Sequence, residues 1–428
     1  MKRLATALLV LVVTASIAPS VVAGSIAPST TSPASATAGQ ASGQAYAGTH
    51  VSFDASERAV TDYAVHGETM LDSVKVQSES EVENGGLVGV GASLSGVTRI
   101  EGAGLGVGAT TNTEARVDAD SGATITAHDN GHGVLVVASG DQSEYVVANL
   151  SAGANASAES DAQVEVTTEN GTEGTFVVVG EGNVTVNDEG DVTAQLGDDG
   201  RLAFRSYPEG KDDGDEKQED LIASGESKAE AYVMVEDGET VVDTVSYDGN
   251  TTVEAAQTAE GGVSFTVNRT THEGTVFVTS VSEKALNATE DLEVAVDGEA
   301  AVEARTYTQL KSAVGSEQSR YLVESAASGS ADARTDVLVA VNHFSERTVS
   351  MQSESASDET SSETTDSQQT TDDGETTDDG QTTDESDGET NATSTGDDDT
   401  GNGGSVPGFT PVTAVVAVVA ATLLARLR

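Results

Sequence analysis

From Val51 to about Met351 the chain alternates short apolar runs with polar breaks. Val, Ala, Thr and Phe recur at every second position, and Gly, Asn or Asp interrupts the pattern every eight to twelve residues. A period of two places apolar side chains on one face of a pleated strand. Strands are therefore predicted at Thr124–Ala127, Val134–Val137, Phe176–Val179, Val192–Leu196, Tyr232–Val235, Val263–Val267, Val276–Val278 and Val337–Val341. A helical period of similar length is absent, apart from a short helix predicted near Tyr307 to Ala313. The body is expected to be all-β, built of β-solenoid-like or β-sandwich modules.

Short segments repeat within it. Glu173–Val178 returns one hundred residues later as Glu273–Val278, and Phe204–Tyr207 at the same offset as Ala304–Tyr307. Gly67–Val74 returns as Gly238–Val245 at an offset of 171. An internal duplication would explain both, with an insert in the first copy from about Glu81 to Ala158, where small alternating residues and frequent turns suit solenoid rungs. Ordinary sandwich strands are the alternative for residues 100–131. The organisation expected is a signal peptide over 1–23, a flexible leader over 24–48, a β-rich module over 49–210, an acidic linker over 211–225, a second β-rich module over 226–351, an acidic Thr-rich stalk over 352–405 and a terminal segment over 406–428.

Charge narrows the partners. Seventy-two acidic residues against twenty basic ones give a net charge of −52. Seventeen of the acids lie in residues 351–405, which hold no Lys or Arg, so −35 remains elsewhere. Such a chain repels nucleic acid. It resembles the proteins of salt-loving archaea, in which concentrated salt screens the repulsion among dense surface carboxylates. There is no Cys and no Trp, so no disulfide staples the fold and the core must come from Val, Ala, Leu and a few Phe and Tyr.

Both ends carry targeting patterns. Lys2 and Arg3 precede an apolar stretch from Leu4 to Val13, and Val21-Val22-Ala23 offers the small residues a signal peptidase accepts, with cleavage expected after Ala23. Near the other end, a polar linker leads into Pro407-Gly408-Phe409, seventeen uncharged residues from Phe409 to Ala425, and the basic cap Arg426 and Arg428. That run is at the short end for crossing a hydrocarbon core of about 30 Å, and the arginines would stay cytoplasmic. The ordered set resembles the PGF-CTERM sorting signal of haloarchaeal cell-surface glycoproteins. The resemblance implies an archaeosortase that cuts near the tripeptide and a product joined to a prenyl-derived membrane lipid, by a logic parallel to a glycosylphosphatidylinositol signal. A plain transmembrane anchor is the alternative. The segment Val337 to Met351, through Asn342-His343-Phe344-Ser345, resembles the final strand of archaeal surface modules.

Eight Asn-x-Ser/Thr sequons, at Asn149, Asn155, Asn170, Asn183, Asn250, Asn268, Asn287 and Asn391, are candidate N-glycan acceptors. Catalytic patterns are sparse. His128 and His132 stand four apart on turn residues, where they would be solvent-exposed and would not share the helix face a zinc site needs. His272-Glu273 lacks the second His of a metalloprotease helix. Asp212, Asp213 and Asp215 with Glu216, Glu219 and Asp220 supply oxygen ligands for a hard cation, but a solvated charge run is the simpler reading. Gly102, Gly104, Gly106 and Gly108 lie among strands and open no helix, unlike a dinucleotide fingerprint. No cofactor or metal site is expected.

Three functions fit: an anchored cell-surface glycoprotein with a structural, adhesive or envelope-associated role and no enzymatic activity; an extracellular carbohydrate-active enzyme; or a divalent-cation-dependent binding module. The first accounts for the most residues. Its expected partners are signal peptidase, archaeosortase, membrane lipid, glycans and other envelope proteins.

Overall fold

The computed structural model describes residues 44–85, 93–257, 262–271, 273–286, 292–325, 334–343 and 346–353. Ala23, His272, Asn287, Asn391, Pro407, Gly408, Phe409, Arg426 and Arg428 lie outside these residues. No helix among the described residues is long and apolar enough to cross a membrane.

The predicted alternation becomes strands throughout. The first half contains β1 Gln44–Ala47, β2 Val51–Ala55, β3 Val60–Val65, β4 Glu68–Ser78, β5 Leu105–Thr110, β6 Glu114–Ala119, β7 Thr124–His128, β8 Leu135–Ala138, β9 Glu144–Leu150, β10 Asn155–Ala158, β11 Gln163–Thr167, β12 Glu173–Val179, β13 Gly182–Val186, β14 Val192–Leu196 and β15 Arg201–Tyr207, with the short helix α1 Glu79–Asn84. After α2 Asp213–Ala223 come β16 Ser227–Glu236, β17 Glu239–Ser246, β18 Thr251–Gln257, β19 Val263–Arg269, β20 Glu273–Ser282, α3 Glu283–Leu286, β21 Leu292–Val296, β22 Glu299–Ala300, β23 Val302–Glu303, α4 Tyr307–Lys311, β24 Arg320–Ser325, β25 Arg334–His343 and β26 Glu346–Ser353. All eight strands named from sequence overlap strands, seven of them entirely and Val134–Val137 from Leu135 on, and the helix expected near Tyr307 is α4.

Four sheets result. Sheet I has the order β1-β2-β3-β4-β9-β14-β13 and sheet II the order β10-β11-β12-β15-β8-β7-β6-β5. Sheet III runs β17-β16-β20-β25-β24-β23 and sheet IV β18-β19-β26-β21-β22. Pairing is antiparallel except β16 with β20 and β23 with β24. Sheets I and II share one core, in which Tyr63, Leu71 and Val146 meet Ile125, Phe176 and Phe204. Sheets III and IV share another around Phe265, Phe277, Val339 and Met351. Both modules are therefore sandwiches. The Gly/Ala-rich stretch considered for solenoid rungs supplies the antiparallel run β5-β6-β7-β8 of sheet II.

Strand burial tells the layers apart. On β19 the sequence Val-Ser-Phe-Thr-Val-Asn alternates buried and solvent-facing positions, as a strand covered on one face must. β12, β15 and β20 are buried on both faces. The outer face of sheet II, through Val136, Val177, Val179 and Ala203, packs on Tyr232, Val245 and Tyr247 of the second sandwich and on Ile222 of α2. Further along sheet III, α2 and α4 cover Val276, Val278, Leu338 and Ala340 through Leu221 and Leu310.

The repeats map unevenly. Glu173 opens β12 and Glu273 opens β20, and Gly67 and Gly238 end equivalent tight hairpin turns in which His66, Gly67, Asp237 and Gly238 all have positive φ. Two positive-φ residues are what a two-residue hairpin of this twist requires. Phe204–Tyr207, in contrast, lies in β15, while its counterpart leads into α4.

Three expectations change. Gln44–Ala47, read as leader, pairs with β2. The acidic stretch over 211–225 contains an eleven-residue helix. The final segment from Val337 to Met351 is two strands, β25 in sheet III and β26 in sheet IV.

Candidate functional site

The seam between the sandwiches gathers the polar chemistry of the body. Arg205 on β15 and Glu230 on β16 are each 1% exposed. Nη1 of Arg205 lies 3.4 Å from Oε1 of Glu230, an ionic contact without an aligned hydrogen bond. The other oxygen of Glu230 accepts from the hydroxyls of Tyr232 at 2.7 Å and Tyr247 at 2.8 Å. Arg205 also donates to Gln218 Oε1 at 3.2 Å, and Gln218 donates to Asp336 Oδ2 at 2.8 Å. Buried charges persist when paired and hydrogen-bonded in this way.

The histidine turn forms a second tie. His128 and His132 are both 4% exposed, against the expectation of solvent-facing turn residues. Nδ1 of His128 lies 3.1 Å from Oδ1 of Asp243, and Asn130 donates to the other oxygen at 2.7 Å. A carboxylate can only accept, so the hydrogen of His128 sits on Nδ1. Burial disfavours the charged ring of His128, but Asp243 outweighs it and raises the pKa above its ordinary value. His132 donates from Nδ1 to the carbonyl of Ser206 at 3.0 Å; its burial, with Arg334 and Arg205 nearby, drives its pKa well down and keeps it neutral. Asp129, fully buried, accepts the backbone N–H groups of Thr49, His50 and Val51 at 2.6, 2.7 and 2.7 Å. The turn can be buried because its side chains find partners: His128 and Asn130 at Asp243, Asp129 at the entry to β2, and His132 at Ser206.

The acidic stretch is solvated at Asp212, Asp213, Glu216 and Asp220, but Asp215 and Glu219 are buried. Asp212 caps α2 by accepting from Gly214 and Asp215, while Asp215 accepts from the Asp212 backbone in return. Glu219 is buried, accepts the Tyr207 hydroxyl and lies 2.8 Å from Nζ of Lys211. Desolvation lifts Asp215 to about 6. Among the described residues no group of three or more metal-ligating side chains could hold an ion.

Beside these ties a cleft of about 440 Å³ opens between the sandwiches, lined by His50, His66, Glu236, Ser280, Lys284 and Arg334 among others. The rings of His50 and His66 are 4.9 Å apart, and His50 lies 3.9 Å from Glu236. Burial and the neighbouring Asp129 raise the carboxyl of Glu236 above its usual range. Ser280 Oγ makes no hydrogen bond. Gly102–Gly108 leads into and along β5 and opens no helix.

The sequons divide by environment. Asn155, Asn170, Asn183, Asn250 and Asn268 are exposed, whereas Asn149 is half-buried on β9. Asn149 donates to Asp191 at 2.9 Å and accepts from Ser73 at 3.2 Å. Asn170 follows a different course: its Nδ2 donates to Glu68 Oε1 at 3.2 Å, and the hydroxyl of Thr172, two residues on, donates to Glu68 Oε2 at 2.6 Å. Thr168 adds a third donor at 2.6 Å, and hydrogen bonds from the two threonines hold the Glu68 carboxyl below its ordinary value. The seam was not legible in sequence: Asp243 stands 113 residues from Asn130 and Asp336 118 from Gln218, and no local pattern pairs Arg205 with Glu230. The chain matches no protein-family model and no curated protein.

Proposed function

We propose that the chain is a cell-surface glycoprotein of a halophilic archaeon, anchored to the outer face of the plasma membrane, with a structural, adhesive or envelope-associated role and no enzymatic activity. The observation that carries this reading is the order of features near the C-terminus: an acidic Thr-rich linker, Pro407-Gly408-Phe409, an uncharged run and the basic cap Arg426 and Arg428. The Lys2-Arg3 start with its apolar stretch and Ala23 site supports export. The folded body suits such a role. Its two sandwiches are joined by ionic ties that lie out of solvent, and buried pairs are screened by salt far less than surface pairs.

Labelling intact cells with a membrane-impermeant amine reagent tests the placement. Lysines such as Lys75 and Lys228 are expected to react on whole cells, and the protein to sediment with membranes. Labelling only after lysis would contradict the reading.

A further inference from the structure

An Asn-x-Ser/Thr triplet on a strand has the same period as the strand, so its asparagine and hydroxyl face the same side. On β13, Asn183 and Thr185 face outward while Val184 enters the core. On β10, Asn155 and Ser157 are exposed while Ala156 packs inward, but Asn155 Nδ2 donates to the Gly153 carbonyl at 3.4 Å and the Ser157 hydroxyl to Glu159 at 2.9 Å. β13 ends sheet I, β10 ends sheet II, and the two strands lie against each other at one edge of the first sandwich. The second sandwich repeats the arrangement at β18, the last strand of sheet IV. There, residues 250–252 run antiparallel to residues 268–270, Asn268 stands opposite Thr252, and Thr270 donates to Asn250 Oδ1 at 3.1 Å.

An end strand presents unpaired N–H and C=O groups that can template association with another chain, and folds blunt such edges by specific devices. Of the other end strands, β5 carries a bulge, β22 and β23 are two residues long and each bears a Glu, β1 is as short as β10 at four residues, and β17 opens on the exposed Glu239 and lies beside β18. β10, β13 and β18 show no bulge in their pairings. They carry sequons.

We infer that the fold selects among the sequons: N-glycans attach at Asn183 and on the Asn250–Asn268 pair, where they block strand addition at open sheet edges, while Asn149 and Asn170 stay bare. The inference rests on the export proposed above, since the donor is a lipid-phosphate-linked oligosaccharide outside the cytoplasm. In the transfer the amide nitrogen forms a bond to the anomeric carbon, the bond from that carbon to the phosphate oxygen breaks, the lipid phosphate leaves with the electron pair, and a base of the transferase takes the amide proton. Asn149 cannot present its nitrogen while Asp191 holds it. At Asn170 a single carboxylate occupies both the nitrogen and the Thr172 hydroxyl that a transferase must engage.

The test expresses the full chain and its Glu68→Ala and Glu68→Gln variants in an N-glycosylating, salt-loving archaeal host, and maps glycopeptides by mass spectrometry. Glycans are expected at Asn183 and on the Asn250–Asn268 pair in all three proteins, with none at Asn149. Asn170 is expected to be bare in the parent, to gain a glycan in Glu68→Ala, and to gain a smaller share in Glu68→Gln, which keeps one acceptor oxygen. Equal occupancy at Asn149, Asn170 and Asn183 in the parent, or a bare Asn170 in both variants, overturns selection by the fold. An exported, anchored chain with bare edge sequons overturns the inference alone. A chain retained in the cytoplasm overturns both it and the proposed function. For the edge role, a variant with Thr185→Val, Thr252→Val and Thr270→Val is expected to self-associate with rising concentration by size-exclusion chromatography; a monomer at every concentration refutes it.

Discussion

Arg205 of the first sandwich and Glu230 of the second lie 3.4 Å apart, each 1% exposed. Neither charge has water to fall back on, so each depends on the other and on the hydrogen bonds around them. Removing one partner of a buried pair typically costs about 3–5 kcal/mol, because the remaining charge is left uncompensated. Arg205→Ala is expected to lose stability in that range by chemical denaturation. The loss should be as large in concentrated salt as in dilute salt, because the pair is shielded from mobile ions.

Asp129 holds the strand entry of β2 through three backbone N–H groups. Asp129→Ala strands all three donors and is expected to destabilise the first sandwich by about 3 kcal/mol or more. Hydrogen exchange at Thr49, His50 and Val51 should accelerate well before the core strands exchange.

His132 makes stability depend on acid. Its folded-state pKa lies well below the ordinary 6.5 because burial and nearby arginines oppose its charge. The unfolded chain thus binds the proton more readily, and the stability this ring contributes is present above about 6.5 and lost as pH falls below it. His132→Gln is expected to flatten that part of the pH profile in thermal melts. His128 has the opposite sign: its pKa is raised, so its contribution is present below about 6.5 and lost as pH rises through the folded value.

Glu144 is buried on β9 with Ser121 as its neighbouring side-chain donor, and desolvation outweighs that contact and raises it to about 7. Here the folded state holds the proton more tightly. Stability is highest below the unfolded value near 4.5 and declines as pH rises through about 7. Glu144→Gln is expected to be more stable than the parent above pH 7, by about 1–2 kcal/mol after allowance for partial solvation.

The strands were legible because their signal is local. Phe265 and Val267 alternate with Ser264 and Thr266 on β19 and announce a half-covered strand on their own. Helix α2 was not, because the face it buries includes Asp215, Gln218 and Glu219 as well as Leu221 and Ile222, so no apolar stripe marks it. The reciprocal cap between Asp212 and Asp215 was its available signal. His128 read as an exposed turn residue because nothing near it in sequence points to Asp243, which completes it from the other sandwich. The sequons were legible as triplets, but their selection depends on Asp191 and Glu68, which are distant in sequence.

The acidic cluster now has structural partners, which bears on the cation-dependent alternative. Asp212 and Asp215 cap α2, and Glu219 pairs with Lys211. Melting temperature is expected to be unchanged between excess calcium and excess chelator at constant ionic strength. A calcium-dependent rise of several degrees would favour a binding module.

The central claim concerns the anchor, and the mass of the C-terminal peptide tests it most directly. The chain would be produced in a salt-loving archaeal host with and without its archaeosortase, and the membrane-associated form measured by mass spectrometry. Loss of the residues beyond the Pro407-Gly408-Phe409 region, with added lipid mass, only when the enzyme is present is the expected result. An intact Arg428 in both strains would contradict it and leave a plain transmembrane anchor.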